Sequence, residues 1–187
     1  MLRGVGRAVI WLLLVGCATA TLEPPTPGLR KRQTSQWSRA IIAVVAPGDL
    51  VVARLYGPAD DDAMADSART FSRVGVVDDD GGVVFGTEED AIRRTLTGVV
   101  HESHRLVLVR LERLDVAARG RLAALVRSHA GEALDTLGVA PGELRARSAA
   151  FVLWAVRAVE PQWAGAPRDP ADCLDLGALV FDSGPRY

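Results

Sequence analysis

Cysteine is nearly missing from this chain: its 187 residues hold Cys17 and Cys173 and no other. One pair at most cannot supply the disulfide framework of a small secreted scaffold. Lysine is scarcer still. Lys31 stands alone, so arginine carries nearly all the positive charge, a compositional bias with no functional signal of its own. Charge of one sign is lacking too. The 22 basic and 23 acidic residues leave a net charge of −1, which excludes the strongly basic balance of a general nucleic-acid binder. There are no internal repeats and no Gly-rich phosphate loop. Apolar residues are plentiful at 49%, enough to bury the core of one domain plus a short extension.

The N-terminus is the most specific part of the chain. In "MLRGVGRAVIWLLLVGCATA" a basic start at Arg3 and Arg7 leads into an apolar run from Ala8 to Val15, followed by small residues. That is the layout of a secretory signal peptide. The run is far shorter than the roughly 20 apolar residues of a membrane-spanning helix. Its end, "LVGC" from Leu14 to Cys17, resembles the bacterial lipobox, whose cysteine becomes the lipidated first residue of the mature protein. An ordinary secretory signal cut at the nearby "ATA" is the alternative. The resemblance implies a lipoprotein carrying palmitate-type acyl chains on Cys17, and more than one chain is what stable anchoring requires. Ala18 stands where inner-membrane retention signals often have Asp. In a host with two membranes this points to the periplasmic face of the outer one. Removing residues 1–16 takes Arg3 and Arg7 from the 22 basic residues and leaves 20 against 23 acidic ones, a net charge of −3. With Cys17 lipidated, Cys173 has no intramolecular partner and reads as a small, semi-buried apolar residue.

Residues 21–36 are rich in Pro, Thr and charge and lack apolar periodicity. They predict a tether, so the expected organisation is signal peptide 1–16, tether 17–36 and one domain over 37–187. Trp37, Ile41 and Val44 or Val45 share a helical face, which predicts a short helix ended by Pro47-Gly48. A strand is expected over 49–55 and a hairpin over 71–77 and 82–86, turned by "DDDGG". Alternation predicts another strand over 104–111. Asp115 is placed to cap a helix that follows it. The residues 148–159 fit a buried helix stopped by Pro161, and 176–181 a closing strand. The expected class is α+β, a small antiparallel sheet of about five strands packed on helices.

Four pieces occur in order: "APGDLVV", "FSRVGVV", "HRLVLVRL" and "SAAFVLWAVRAV". This order resembles the circularly permuted papain-like hydrolases of the YiiX/YaeF type, relatives of the NlpC-type cell-wall peptidases. The resemblance spans about residues 40–182 and implies a permuted papain-like domain. It also implies a catalytic histidine on the second piece and a cysteine nucleophile at the start of the fourth. Neither is present. Arg73 stands at the histidine position, and Ser148, or Ala149 in a shifted alignment, stands at the cysteine position. The residue that would orient the histidine falls near Gly86, with Glu88 two places on.

A serine nucleophile needs a base, and arginine cannot accept a proton at physiological pH. Arg73 and Ser148 are therefore expected to be vestigial positions, with no catalytic residue, and the chain to be an envelope-anchored binding or scaffold module. The alternative is an active amidase- or esterase-type hydrolase using Ser148, with His101, His104 or His129 as its base. A cation facing a helix N-terminus beside a serine hydroxyl also predicts an anion site at Arg73 and Ser148. Its ligand would be an anionic peptide, peptidoglycan or a lipid. Against that site, Arg73 can pair with a nearby acid such as Glu88 or Asp90, and Ser148 can serve as an N-cap. The acidic runs from Asp60 and Asp78 lack the ligand spacing of a calcium loop and read as solvated turns. "HESH", from His101 to His104, leads into a strand and has no evident third ligand, so neither metal nor cofactor is expected.

Overall fold

Six consecutive residues, Leu50–Leu55 (β1), are all buried, with no alternation between faces. A strand reads this way when both faces of its sheet are covered. The computed structural model describes residues 24–62 and 70–184, and in it β1 lies within a six-stranded sheet. The other strands are Arg73–Val77 (β2), Gly82–Gly86 (β3), Ala91–Thr95 (β4), Ser103–Arg110 (β5) and Ala178–Asp182 (β6), and the order across the sheet is β4-β3-β2-β1-β5-β6. Every neighbouring pair is antiparallel. The α+β class with a small antiparallel sheet is borne out, with one strand more than expected.

The helices are Pro27–Ile42 (α1), Pro58–Asp62 (α2), Leu96–Glu102 (α3), Val116–Ser128 (α4) and Leu144–Val159 (α5), and a 3-10 helix covers Pro170–Leu176. On one face of the sheet, Val52, Val74, Val76 and Val84 pack with Phe151, Val152 and Val156 of α5. On the other, Val51, Leu55, Val83 and Leu106 pack with Ile41 of α1 and with Val99 and Val100 of α3. Full burial of a Val or Phe side chain contributes about 1.5–3 kcal/mol, so α5 is held mainly by its apolar stripe.

Several expectations need correction. The tether composition hides a helix. α1 starts at Pro27, where a fixed φ suits a first helical turn, and runs through the charged stretch to Ile42. The signal peptide and Cys17 lie outside the described residues. β4 and α3 had no expectation at all. β4 is short and exposes Arg93 and Thr95, the habit of an edge strand. Thr95 caps α3 by accepting from the Gly98 amide at 3.2 Å. Asp115 caps α4 as expected, accepting from the Ala118 amide at 2.7 Å. α5 begins at Leu144, four residues before Ser148, so Ser148 is not an N-cap.

The two acidic runs are only in part solvated: Asp79 and Asp80 form an exposed turn, as expected. The first carboxylate of each is buried. Asp78 accepts from the amides of Asp80 at 2.9 Å and Gly82 at 2.7 Å and is held by Arg93. It thereby builds the β2–β3 turn, in which Gly81 takes a φ of 74° that suits glycine. Asp60 is the other case and belongs to the candidate site.

Candidate functional site

The strand expected to carry a base and the helix expected to carry a nucleophile do meet. Ser148 lies in the second turn of α5 and is fully buried. Its Oγ accepts from the Val74 amide at 3.3 Å and donates to the Arg145 carbonyl at 2.9 Å. The second bond is a local side-chain-to-backbone contact within the helix. The first ties α5 to β2 next to Arg73. With both its donor and an acceptor site engaged, and no exposed surface, the hydroxyl has no path to a substrate.

Arg73 opens β2. Its guanidinium forms a bidentate pair with Asp60 of α2, Nε to Oδ1 and Nη2 to Oδ2, each at 2.9 Å. The partner is thus Asp60, rather than Glu88 or Asp90. Asp60 is anchored in turn by Ser72, whose Oγ donates to Oδ1 at 2.6 Å and accepts from the Leu55 amide at 3.2 Å. A planar guanidinium matched edge-on to a carboxylate is the strongest common ion-pair geometry. It engages the Nε–Nη2 edge of Arg73 and neutralises its charge.

Two more buried arginines sit near this pair. Arg54 on β1 reaches Asp61 at 2.9 Å. Burial pulls its guanidinium below the ordinary value, while Asp61 and Asp60 pull it back up and Arg145 adds to the lowering. Arg145 is buried and held by Asp169, which also starts the 3-10 helix through a capping box with Asp172. Arginines on β1, β2 and α5 thus meet carboxylates from α2 and the 3-10 helix. The sequence carries no local signature of this network, because Arg73 and Arg145 find partners 13 and 24 residues away.

The third position is closed sterically. A Cβ placed on Gly86 would lie 2.6 Å from the Cβ of Phe151, so no side chain fits there while α5 packs on β3. Glu88 contributes its backbone carbonyl to Arg147, and that arginine also pairs with Asp135. The histidines are used elsewhere. His101 lies in the last turn of α3, His104 Nδ1 lies 3.4 Å from the Tyr56 hydroxyl, and His129 Nδ1 lies 3.0 Å from Glu132. Neither bond made by Ser148 involves a histidine.

A shallow cleft of roughly 240 Å³ beside Arg73 is lined by Ala59, Thr87, Glu88, Glu89, Asp90 and Leu144. Its rim carries three acids against one already neutralised cation. Such a field opposes an incoming anion. Among the described residues no three His, Cys, Asp or Glu side chains are grouped to hold a metal ion. Cys173 is fully buried. Burial, with Asp172 and Asp169 nearby, pushes its thiol far above the ordinary value, so it is an inert core residue.

Comparison with protein-family models, curated proteins and solved structures returns no match for this chain.

Proposed function

We propose that this chain is a non-catalytic module of the bacterial cell envelope, built on a permuted papain-like domain whose catalytic positions have become structural. The observation that carries the reading is the state of Ser148. Its hydroxyl is buried between the Val74 amide and the Arg145 carbonyl, beside an arginine locked to Asp60. Nucleophilic catalysis needs an accessible oxygen and a group that takes its proton; here the hydroxyl ties α5 to β2 and the arginine ties β2 to α2. The descent from a hydrolase is supported by the order of elements and by the contact of Ser148 on α5 with Val74 on β2, next to Arg73. The scaffold reading is favoured over ligand binding at Arg73, because that cation is already neutralised by Asp60 and an anion would have to enter an acidic cleft.

The module is anchored through acyl chains on Cys17, at the outer membrane's periplasmic face where the host has two membranes. The support is the lipobox-like "LVGC" and the residue after it. Two experiments test the reading. Turnover of peptidoglycan stem peptides and short acyl esters by the purified chain should not exceed background, and Ser148→Ala should change nothing; product formation that depends on Ser148 would refute the non-catalytic assignment. Metabolic labelling with a palmitate analogue should mark the chain and fail with Cys17→Ser; equal labelling of both would refute the anchor.

A further inference from the structure

We propose that the outward face of α1 is a docking surface for an anionic lipid bilayer. The inference rests on the anchored reading only for what brings α1 to a membrane. The face itself belongs to the helix.

From Pro24 to Gly48 the chain holds Arg30, Lys31, Arg32 and Arg39 and no carboxylate at all. The helix is fixed in rotation by its inner side. Ile41 is fully buried, Trp37 packs on the core beneath α1, and Arg30 donates from Nε to the His101 carbonyl at 2.9 Å. Lys31, Arg32, Arg39 and Ile42 are then exposed, at the spacings that place residues on one helical face. Among the described residues, none of Lys31, Arg32 and Arg39 takes part in an ion pair. Apolar surface adjoins these cations. Ile42 is 68% exposed and Val44 39%, and Ile42 borders a cleft of roughly 500 Å³ shared with Leu96 and Val100.

Cations beside exposed aliphatic side chains are the arrangement of a helix that lies on a bilayer interface. Charge complementarity selects the partner. The chain as a whole is net negative, so a flexible polyanion able to wrap it would meet repulsion over the rest of the surface. A flat anionic sheet touches α1 alone. Attraction to headgroups depends on charge and fades within a Debye length, so it needs no specific hydrogen-bond geometry.

The test uses the full chain with Cys17→Ser, which carries no acyl group, and sedimentation with vesicles of phosphatidylcholine alone or with one part in three phosphatidylglycerol. The neutral vesicles report what the apolar run Ala8 to Val15 contributes. The expected result is tighter binding to the anionic vesicles, lost in high salt. The triple change Lys31→Gln, Arg32→Gln, Arg39→Gln should weaken that binding about a hundredfold, the usual strength of three surface charges. Arg32→Lys with Arg39→Lys should retain it, which separates charge from fold. Equal binding to both vesicle types, or an anionic preference untouched by the triple change, would overturn the proposal. Acylation of Cys17 in cells is read separately by mass spectrometry. Anionic binding without acylation leaves the face standing and removes the anchor, and acylation without anionic binding does the reverse.

Discussion

The Ser148 hydroxyl and the Val74 amide lie 3.3 Å apart, in the protein interior. A helix side chain here satisfies the backbone of a strand 74 residues earlier in the chain. Ser148→Ala removes that acceptor and leaves a buried amide unpaired, which costs about 1–3 kcal/mol. Urea unfolding of the variant should show this loss as a lower midpoint with an unchanged slope. A variant as stable as the parent would mean that the contact contributes nothing.

Asp60 and Arg73 form a nearly buried pair, their side chains 6% and 13% exposed. Asp60→Ala strands the Arg73 guanidinium and removes the shorter of two acceptors of Ser72, so a loss of about 3–5 kcal/mol is expected. Arg73→Ala should be damaging too. The double variant should lose clearly less than the sum of the two, because each single change removes the same interaction. Strict additivity in a denaturant-based cycle would show that the two residues are uncoupled.

Gly86 faces the Cβ of Phe151 with no room for a methyl group. Gly86→Ala must push α5 away from β3, and overpacking of this kind costs about 1–3 kcal/mol. Thermal unfolding should register it as a lowered Tm. Gly138, where an added Cβ meets nothing within 4 Å, takes a φ of 74°, so it is no control for space alone; Gly120, open and without a positive φ, is the better one.

Asp78 supplies a pH dependence. Burial would raise its carboxyl, but hydrogen bonds from Arg93 and from the Gly82 and Asp80 amides, with the charge of Arg93, outweigh that and hold it below its ordinary 3.8. Asp182 is lowered as well, first by its hydrogen bond from Arg105. A depressed folded-state pKa contributes stability that is fully present above the unfolded value and is lost as pH falls through the folded one. Stability should therefore decline as pH drops below about 4. Asp78→Asn should be less stable at pH 7 and show a shallower decline in that acid window. An unchanged acid slope would contradict the role given to Asp78.

The strands with regular apolar patterning were legible in the sequence. β1, the β2–β3 hairpin and β5 bury almost every residue, and their β-branched runs leave little else to form. α1 was legible only at its apolar end, because its first turns are polar and their packing is set by the Arg30–His101 contact. Of the site, Arg73 and Ser148 were found as neighbours of the right elements. Their uses were not. Asp60 and Asp78 each open a run of three aspartates, and nothing local distinguishes the buried first carboxylate from the two that follow it. Glu88 and Asp90 lie on the rim beside Arg73, yet Ser72 and α2 present Asp60 in the matching plane.

The central claim is that Ser148 is a packing residue, and its chemical reactivity tests that most directly. The folded chain is incubated with a fluorophosphonate probe, which forms a covalent adduct only with an activated, accessible serine, and is then digested and mapped by mass spectrometry. The account predicts no adduct at Ser148 in the folded chain. A stoichiometric adduct at Ser148, formed under native conditions and blocked by prior unfolding, would contradict it.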